Sequence, residues 1–127
     1  MAIRTELNLR VPNSPGTLAG VCRLLADERV NIVALTLDAG GHLRLVVDNH
    51  VRAVSVLRER HYQVGERNVV FVPVVNGPGA LVPVLALAAQ AGINIEYAYA
   101  SAADGNASTA VVLGVEDAQR ASAAAGL

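Results

Sequence analysis

The chain has 127 residues, 53% of them hydrophobic and 17% charged, with a formal net charge of −1. That length suits one domain or two very small ones, and the near-neutral balance supplies no broad field for nucleic acid or an anionic membrane. A single cysteine excludes an internal disulfide, and no apolar run reaches the roughly 18 residues of a membrane-spanning helix.

The opening stretch IRTELNLRV alternates, with Ile3, Thr5, Leu7, Leu9 and Val11 on one side and Arg4, Glu6, Asn8 and Arg10 on the other. The pattern predicts a half-buried strand with a wet outer face. It contains no apolar core of a secretory leader, so a cytoplasmic location is expected. Pro15 suits the first position of a helix, whose inner stripe is Leu18, Val21, Cys22 and Leu25. On that stripe Cys22 reads as a small buried hydrophobe rather than a reactive thiol. VNIVALTLDAG is a second strand, Gly40–Gly41 a hairpin turn, and HLRLVVD a third strand with Leu43, Leu45 and Val47 on one face. A helix follows in NHVRAVSVLRER, with Ala53, Val56 and Leu57 inward, and HYQV is a short fourth strand. The order β-α-β-β-α-β predicts a ferredoxin-like sandwich, four antiparallel strands with two helices on one face.

Shifting the chain by 63 positions superimposes it on itself. Asn13, Pro15, Gly16, Leu18, Val21, Leu24, Ala26, Asn31 and Ile32 meet identical residues at Asn76, Pro78, Gly79, Leu81, Val84, Leu87, Ala89, Asn94 and Ile95. Nine identities in an ungapped window of twenty indicate a duplicated unit of about sixty residues. The second copy starts with RNVVFVPVV, carries Leu81, Val84, Leu85 and Ala88 as its helix stripe, and continues with NIEYAYAS, a longer loop AADGNA, and STAVVLGV. EDAQRASAAAG is its last helix, with Glu116 and Asp117 suiting the helix start. No residues follow for a fourth strand, so the second sheet is expected to lack its own last strand. Pro83 is expected to remove a hydrogen bond from the second copy's helix or to shift its start.

The pattern N-x-P-G-x-L, an amphipathic helix, then (V/I)-N-I entering a strand, present in both halves, resembles the ACT domain. The resemblance covers nearly the whole chain. It implies an α+β fold of two ferredoxin-like βαββαβ sandwiches in tandem, with domain 1 at 1–66 and domain 2 at 67–127. It also implies a non-catalytic regulatory module that pairs with other such modules, a homodimer being expected, and that binds a free amino acid at the loops between the paired domains, near the first strand–helix loop. Carried onto this sequence, the ligand residues would be Asn13, Pro15, Gly16, Thr17 and Leu18 in the first copy. In the second they would be Asn76, Pro78, Gly79, Ala80 and Leu81, with Asn31, Ile32, Asn94 and Ile95 behind them. The physical basis is a helix N-terminus, whose unpaired N–H groups suit a carboxylate, beside glycines that leave the backbone approachable. The same residues are also good turn-into-helix chemistry. Asn31 and Asn94 would equally serve to close the helix C-terminus in a left-handed conformation.

The copies differ in one further respect. Where the first strand of copy one shows Glu6, Asn8 and Arg10, copy two shows Val69, Phe71 and Pro73, with Tyr97 and Tyr99 on the adjacent strand. Such a face is expected to be an interface, packed against the other copy or a partner chain. His42, His50 and His61 lack ligand-like spacing, so no metal is expected; no cofactor is implied either. NSPGT lacks the glycine that precedes a nucleophilic serine in a strand–helix elbow, and GPG is too short to hold a phosphate. A small acylphosphatase-like enzyme would want an Arg in the loops at 12–16 and 75–79, and neither has one. Two functional classes remain: an amino-acid sensor, and an interaction subunit that docks on a metabolic enzyme without binding ligand.

Overall fold

The computed structural model describes residues 2–101 and 105–124. Ten elements follow one another: β1 (Ala2–Arg10), α1 (Thr17–Asp27), β2 (Ile32–Leu37), β3 (His42–Val47), α2 (His50–Glu59), β4 (Val64–Val75), α3 (Val82–Gln90), β5 (Ile95–Ser101), β6 (Ser108–Val115) and α4 (Ala118–Ala124). They form two compact units, one of Thr5–Arg67 and the other of Met1–Arg4 with Asn68–Leu127. Part of the AADGNA loop, residues 102–104, and the end of the last predicted helix lie outside the described residues.

In the first unit the strand order is β2-β3-β1-β4. β1 pairs with β3 antiparallel from Glu6↔Val46 to Arg10↔His42, and β2 pairs with β3 through an irregularity between Ile32 and Ala34. Alternation puts Leu7, Leu9 and Val11 with Leu43, Leu45 and Val47 on one face. Val21 and Leu25 of α1 and Ala53, Val54 and Leu57 of α2 close over them as one buried cluster. Asn49 caps α2, its side chain accepting from the Arg52 N–H at 3.1 Å.

In the second unit the order is β1-β4-β6-β5. Here β4 takes the role that β1 plays in the first unit, and the place of a fourth strand is filled by the chain's own first residues, Ala2–Arg4. The two long strands β1 and β4 thus each serve both units, which is how the second copy forms a four-stranded sheet without a last strand of its own. Val70 and Val72, with Val111, Leu113 and Val115, meet Ala118 and Ala121 of α4 in its core. The Asp117 side chain caps α4, accepting from the Arg120 N–H at 3.0 Å.

Four expectations change. Glu6, predicted on a wet face, is 0% exposed. Its partner across the β1–β3 ladder, Val46, is 0% exposed as well, so this part of the outer face is covered rather than wet, and the Asn8 amide donates to the Glu6 carboxylate at 3.1 Å. HYQV is no separate strand: His61 sits at φ 67, and the strand begins only at Val64 and runs unbroken to Val75. The predicted α3 stripe is not buried. Val84 packs partly on the core, whereas Leu81 and Leu85 stay 39% exposed, because the helix beside α3 offers mainly small residues. Finally, the left-handed residue that closes α1 is Arg29 (φ 58), and its counterpart after α3 is Gly92 (φ 68), each two residues before the asparagine. The Val30 N–H bonds back to Leu25 and the Ile93 N–H to Ala88, both at 2.9 Å. These are paired Schellman closures, so Asn31 and Asn94 do not close the helices. Pro83 falls in the first turn of α3, and that helix starts at Val82, two residues later than α1 would place it by the 63-residue offset.

Candidate functional site

The first unit has a concavity of about 160 Å³ where β1 runs into α1, lined on one side by Asn13, Ser14, Gly16, Thr17 and Leu18. Gly16 holds the corner at φ 85, with no atom within 4 Å of where a Cβ would stand. It precedes α1 without a side-chain cap. The Thr17 N–H bonds to Ser14 at 3.3 Å and the Gly20 N–H to Gly16 at 2.9 Å. Between them the N–H groups of Leu18 and Ala19 have no acceptor among the described residues. The Ser14 and Thr17 hydroxyls lie 2.9 Å apart, and Asn13 makes no side-chain hydrogen bond among the described residues. Pro15 is exposed and sets the turn.

The opposite wall comes from the β2–β3 hairpin: Leu37, Asp38 and Gly41. Asp38 lies outside the repeated motif, so sequence reasoning missed it; the hairpin register is what brings it to the corner. Its Oδ1 accepts the Gly40 N–H at 2.9 Å and the His42 N–H at 3.1 Å. The bond from His42 is the chief cause that holds its pKa below the ordinary carboxylate value. Oδ2 takes no bond among the described residues, and the carboxylate lines the same concavity as the helix start. A larger groove of about 350 Å³ beside Arg23, Asp27, Arg60 and Tyr62 contains none of the corner residues.

At the second corner, Gly79 repeats the left-handed turn at φ 74. Asn76 is engaged there: its N–H bonds to Ala107 at 3.1 Å and its Nδ2 to Asn106 at 2.9 Å. The Ala80 N–H bonds to Gly77 at 3.2 Å, Pro78 is exposed, and Leu81 is the residue before α3. Asn31 and Asn94 lie at the far ends of their helices. α1 has 11 residues, about 16 Å of rise, so neither Asn31 nor Ile32 reaches the first concavity. The Asn31 N–H instead bonds to Asp48 at 2.9 Å. Asn94 lines a separate groove with Glu116, Asp117 and Arg120, and Ile95 packs against the second core. Of the aromatic-face residues, Val69 is fully buried. Arg4 sits over the Phe71 ring at 4.9 Å, and Tyr97 and Tyr99 stack with centroids 6.4 Å apart. Among the described residues no three His, Cys, Asp or Glu side chains cluster as metal ligands would, and no helix is long and apolar enough to cross a membrane.

No curated protein shows significant sequence similarity to the chain. Solved structures do resemble it. Protein BT0572 from Bacteroides thetaiotaomicron is 29% identical, with a TM-score of 0.88 over 98% of this chain and 87% of that one. The ligand-free regulatory subunit of aspartate kinase from Thermus thermophilus is 20% identical, with a TM-score of 0.69 over 98% and 92%. E. coli aspartokinase III in complex with lysine and aspartate is 20% identical, with a TM-score of 0.60 over 98% of this chain and 32% of that one. The family described as ACT domain pair matches residues 1–124. A repeated β-turn-helix corner, two sandwiches built from one chain, and that match together make this chain a member of the ACT domain pair family.

Proposed function

We propose that the chain is a regulatory protein without catalysis of its own, which binds a small free amino acid at the corner formed by Asn13, Pro15, Gly16, Thr17 and Leu18. The observation that carries this reading is the pairing, across one concavity, of free helix-start N–H groups with the ionised Asp38. An amino acid at neutral pH has the complementary charges. Its carboxylate suits the N–H groups of Leu18 and Ala19, and its ammonium suits Asp38 Oδ2. Size agrees: a void of about 150 Å³ accommodates benzene, so the corner takes on the order of six to nine heavy atoms. The regulatory subunit and the complex with lysine and aspartate named above belong to aspartate kinases, which is in keeping with an amino-acid effector. On this reading the repeats are ACT domains 1–66 and 67–127, the protein is cytoplasmic, and the second corner carries the same motif in different surroundings.

In a thermal-shift screen of the twenty L-amino acids, one or a few of the smaller ones raise the melting temperature by several degrees, since 100 Kd of ligand adds about 2.7 kcal/mol. Asp38→Asn keeps the side chain's size, removes its charge and abolishes the shift. Gly16→Val, which puts a branched side chain at the corner, does the same. A shift that survives both changes rules out this corner.

One observation favours a second, compatible reading as an interaction subunit. α3 is apolar on nearly every side and leaves Leu81, Leu85 and Leu87 about 40% exposed and Val82 64%. A patch of that kind on a small domain is normally covered, and a homodimer or a docked metabolic enzyme would cover it. Phe71, Tyr97 and Tyr99 are further candidates for such contact. If α3 is the dimer surface, light scattering gives a dimer for the native chain and a monomer for Leu85→Glu, with unchanged circular dichroism. A dimer that persists in Leu85→Glu assigns the interface elsewhere.

A further inference from the structure

We infer that each chain offers one ligand corner, not two, because the second corner is occupied by its own hairpin, with Asn76 as the latch. The inference rests on the amino-acid reading of the first corner. Its evidence is the difference between the two corners. In the first unit the β1–β3 ladder ends at Arg10↔His42, four residues join β2 to β3, and the last backbone tie is Val11 N–H to Gly41 at 2.8 Å. By the 63-residue offset the equivalent end of the β4–β6 ladder is Pro73↔Ala110. The ladder does not stop there: it continues through Val74↔Thr109 and Val75↔Ser108. The Asn76 N–H then bonds to Ala107 at 3.1 Å. The longer hairpin therefore zips two residues further and takes the motif asparagine into its own hydrogen bonding.

The side chains follow suit. Asn13 lines an open concavity with its amide unengaged, whereas the Asn76 Nδ2 donates to Asn106 at 2.9 Å. Thr17 is replaced by Ala80, and Asp38 by Ser101, so the second corner has neither the hydroxyl nor the carboxylate. The Ser101 carbonyl is itself taken, accepting the Thr109 hydroxyl at 2.6 Å. The helix start is poorer as well. The Val82 N–H is bonded to Gly79 at 3.1 Å, and Pro83, in the first turn, has no N–H to give. What the second copy retains of the motif is its turn geometry and the Leu81 N–H, which like that of Leu18 has no acceptor among the described residues; the neighbouring N–H and the asparagine amide are already bonded, and the carboxylate and hydroxyl are absent.

Two measurements test this. Native-state hydrogen exchange on Asn76→Ala and on Asn76→Asp, which keeps the size and removes the Nδ2 donor, shows the amides of Asn76 and Thr109 exchanging at least about tenfold faster than in the native chain. Asn13→Ala leaves them unchanged. Titration calorimetry with the amino acid that gives the largest thermal shift shows one site per chain. Asn13→Ala abolishes binding, and Asn76→Ala retains it within about twofold. Two sites per chain, or binding lost in Asn76→Ala and kept in Asn13→Ala, overturns the inference. If none of the twenty amino acids binds, the ligand reading itself fails. The exchange data still decide on the latch, and unchanged protection in both Asn76 variants overturns it.

Discussion

Gly41→Ala lowers the stability of the protein by about 3 kcal/mol or more, the largest loss expected from any single methyl group at the first corner. Two costs add there. Gly41 holds φ 79, a conformation that costs an L-residue about 1–2 kcal/mol. Its added Cβ would also overlap the Val11 carbonyl oxygen and sit 3.3 Å from the Val11 carbonyl carbon. Both are backbone atoms, so relief requires the hairpin to move off the end of β1, and that breaks the Val11 N–H to Gly41 bond at a further cost of about 1 kcal/mol. Gly16→Ala is the control. Gly16 has almost the same φ, 85, with open space around it, so its substitution bears the conformational cost alone, about 1 kcal/mol. Urea denaturation of the two variants separates strain from overlap. Equal midpoints for Gly16→Ala and Gly41→Ala would refute the overlap argument. Because Gly41 also positions Asp38 opposite Gly16, the amino-acid shift disappears in Gly41→Ala even at temperatures where the chain remains folded.

Much of this architecture is legible in the residues, and the exceptions have physical causes. Period-two alternation and the 63-residue repeat identify both halves, since each records a local rule that the strand or turn obeys. Sidedness is legible too: Val70 and Val72 face the second core, as the alternation in copy two implies. What the pattern does not encode is partnership between strands. Ile3 and Arg4 alternate just as Leu7 and Asn8 do, yet Ala2–Arg4 belongs to the second unit and Thr5–Arg10 to the first. Periodicity is the same whichever neighbour a strand pairs with. Glu6 illustrates the limit from the other side, a charged residue in an outward position that is nonetheless fully buried. At the site, the N-x-P-G motif locates the helix start because glycine and proline act locally. Asp38 is invisible to it, since a hairpin some twenty residues on delivers that carboxylate. Asn76 is misjudged by identity alone: the residue is the same as Asn13, but a longer neighbouring hairpin changes what it touches.

Gly114 is the second position where one methyl group has a large consequence. It lies on β6 opposite Tyr97 of β5, and a Cβ built there would overlap the Tyr97 ring. The ring therefore lies flat across the strand over a residue with no side chain, an arrangement in which the aromatic covers backbone that glycine leaves bare. From that position Tyr97 stacks on Tyr99, with an interplanar angle of 13°. Gly114→Ala drives the ring off, which forfeits the stack, about 0.5–1.5 kcal/mol, together with the area it covered. The net destabilisation is about 2–3 kcal/mol, despite the slight strand advantage of alanine over glycine. Tyr97→Ala alone costs a similar amount through lost burial. If the two effects share one cause, they do not add: in Gly114→Ala/Tyr97→Ala the overlap is gone, and the double variant is at least about 1 kcal/mol more stable than the sum of the single changes. The chain has three tyrosines and no tryptophan, so near-ultraviolet circular dichroism reads the Tyr97–Tyr99 stack with little interference, and the signal falls in Gly114→Ala. Additive costs with an unaltered spectrum would mean that the ring does not rest on Gly114 in solution.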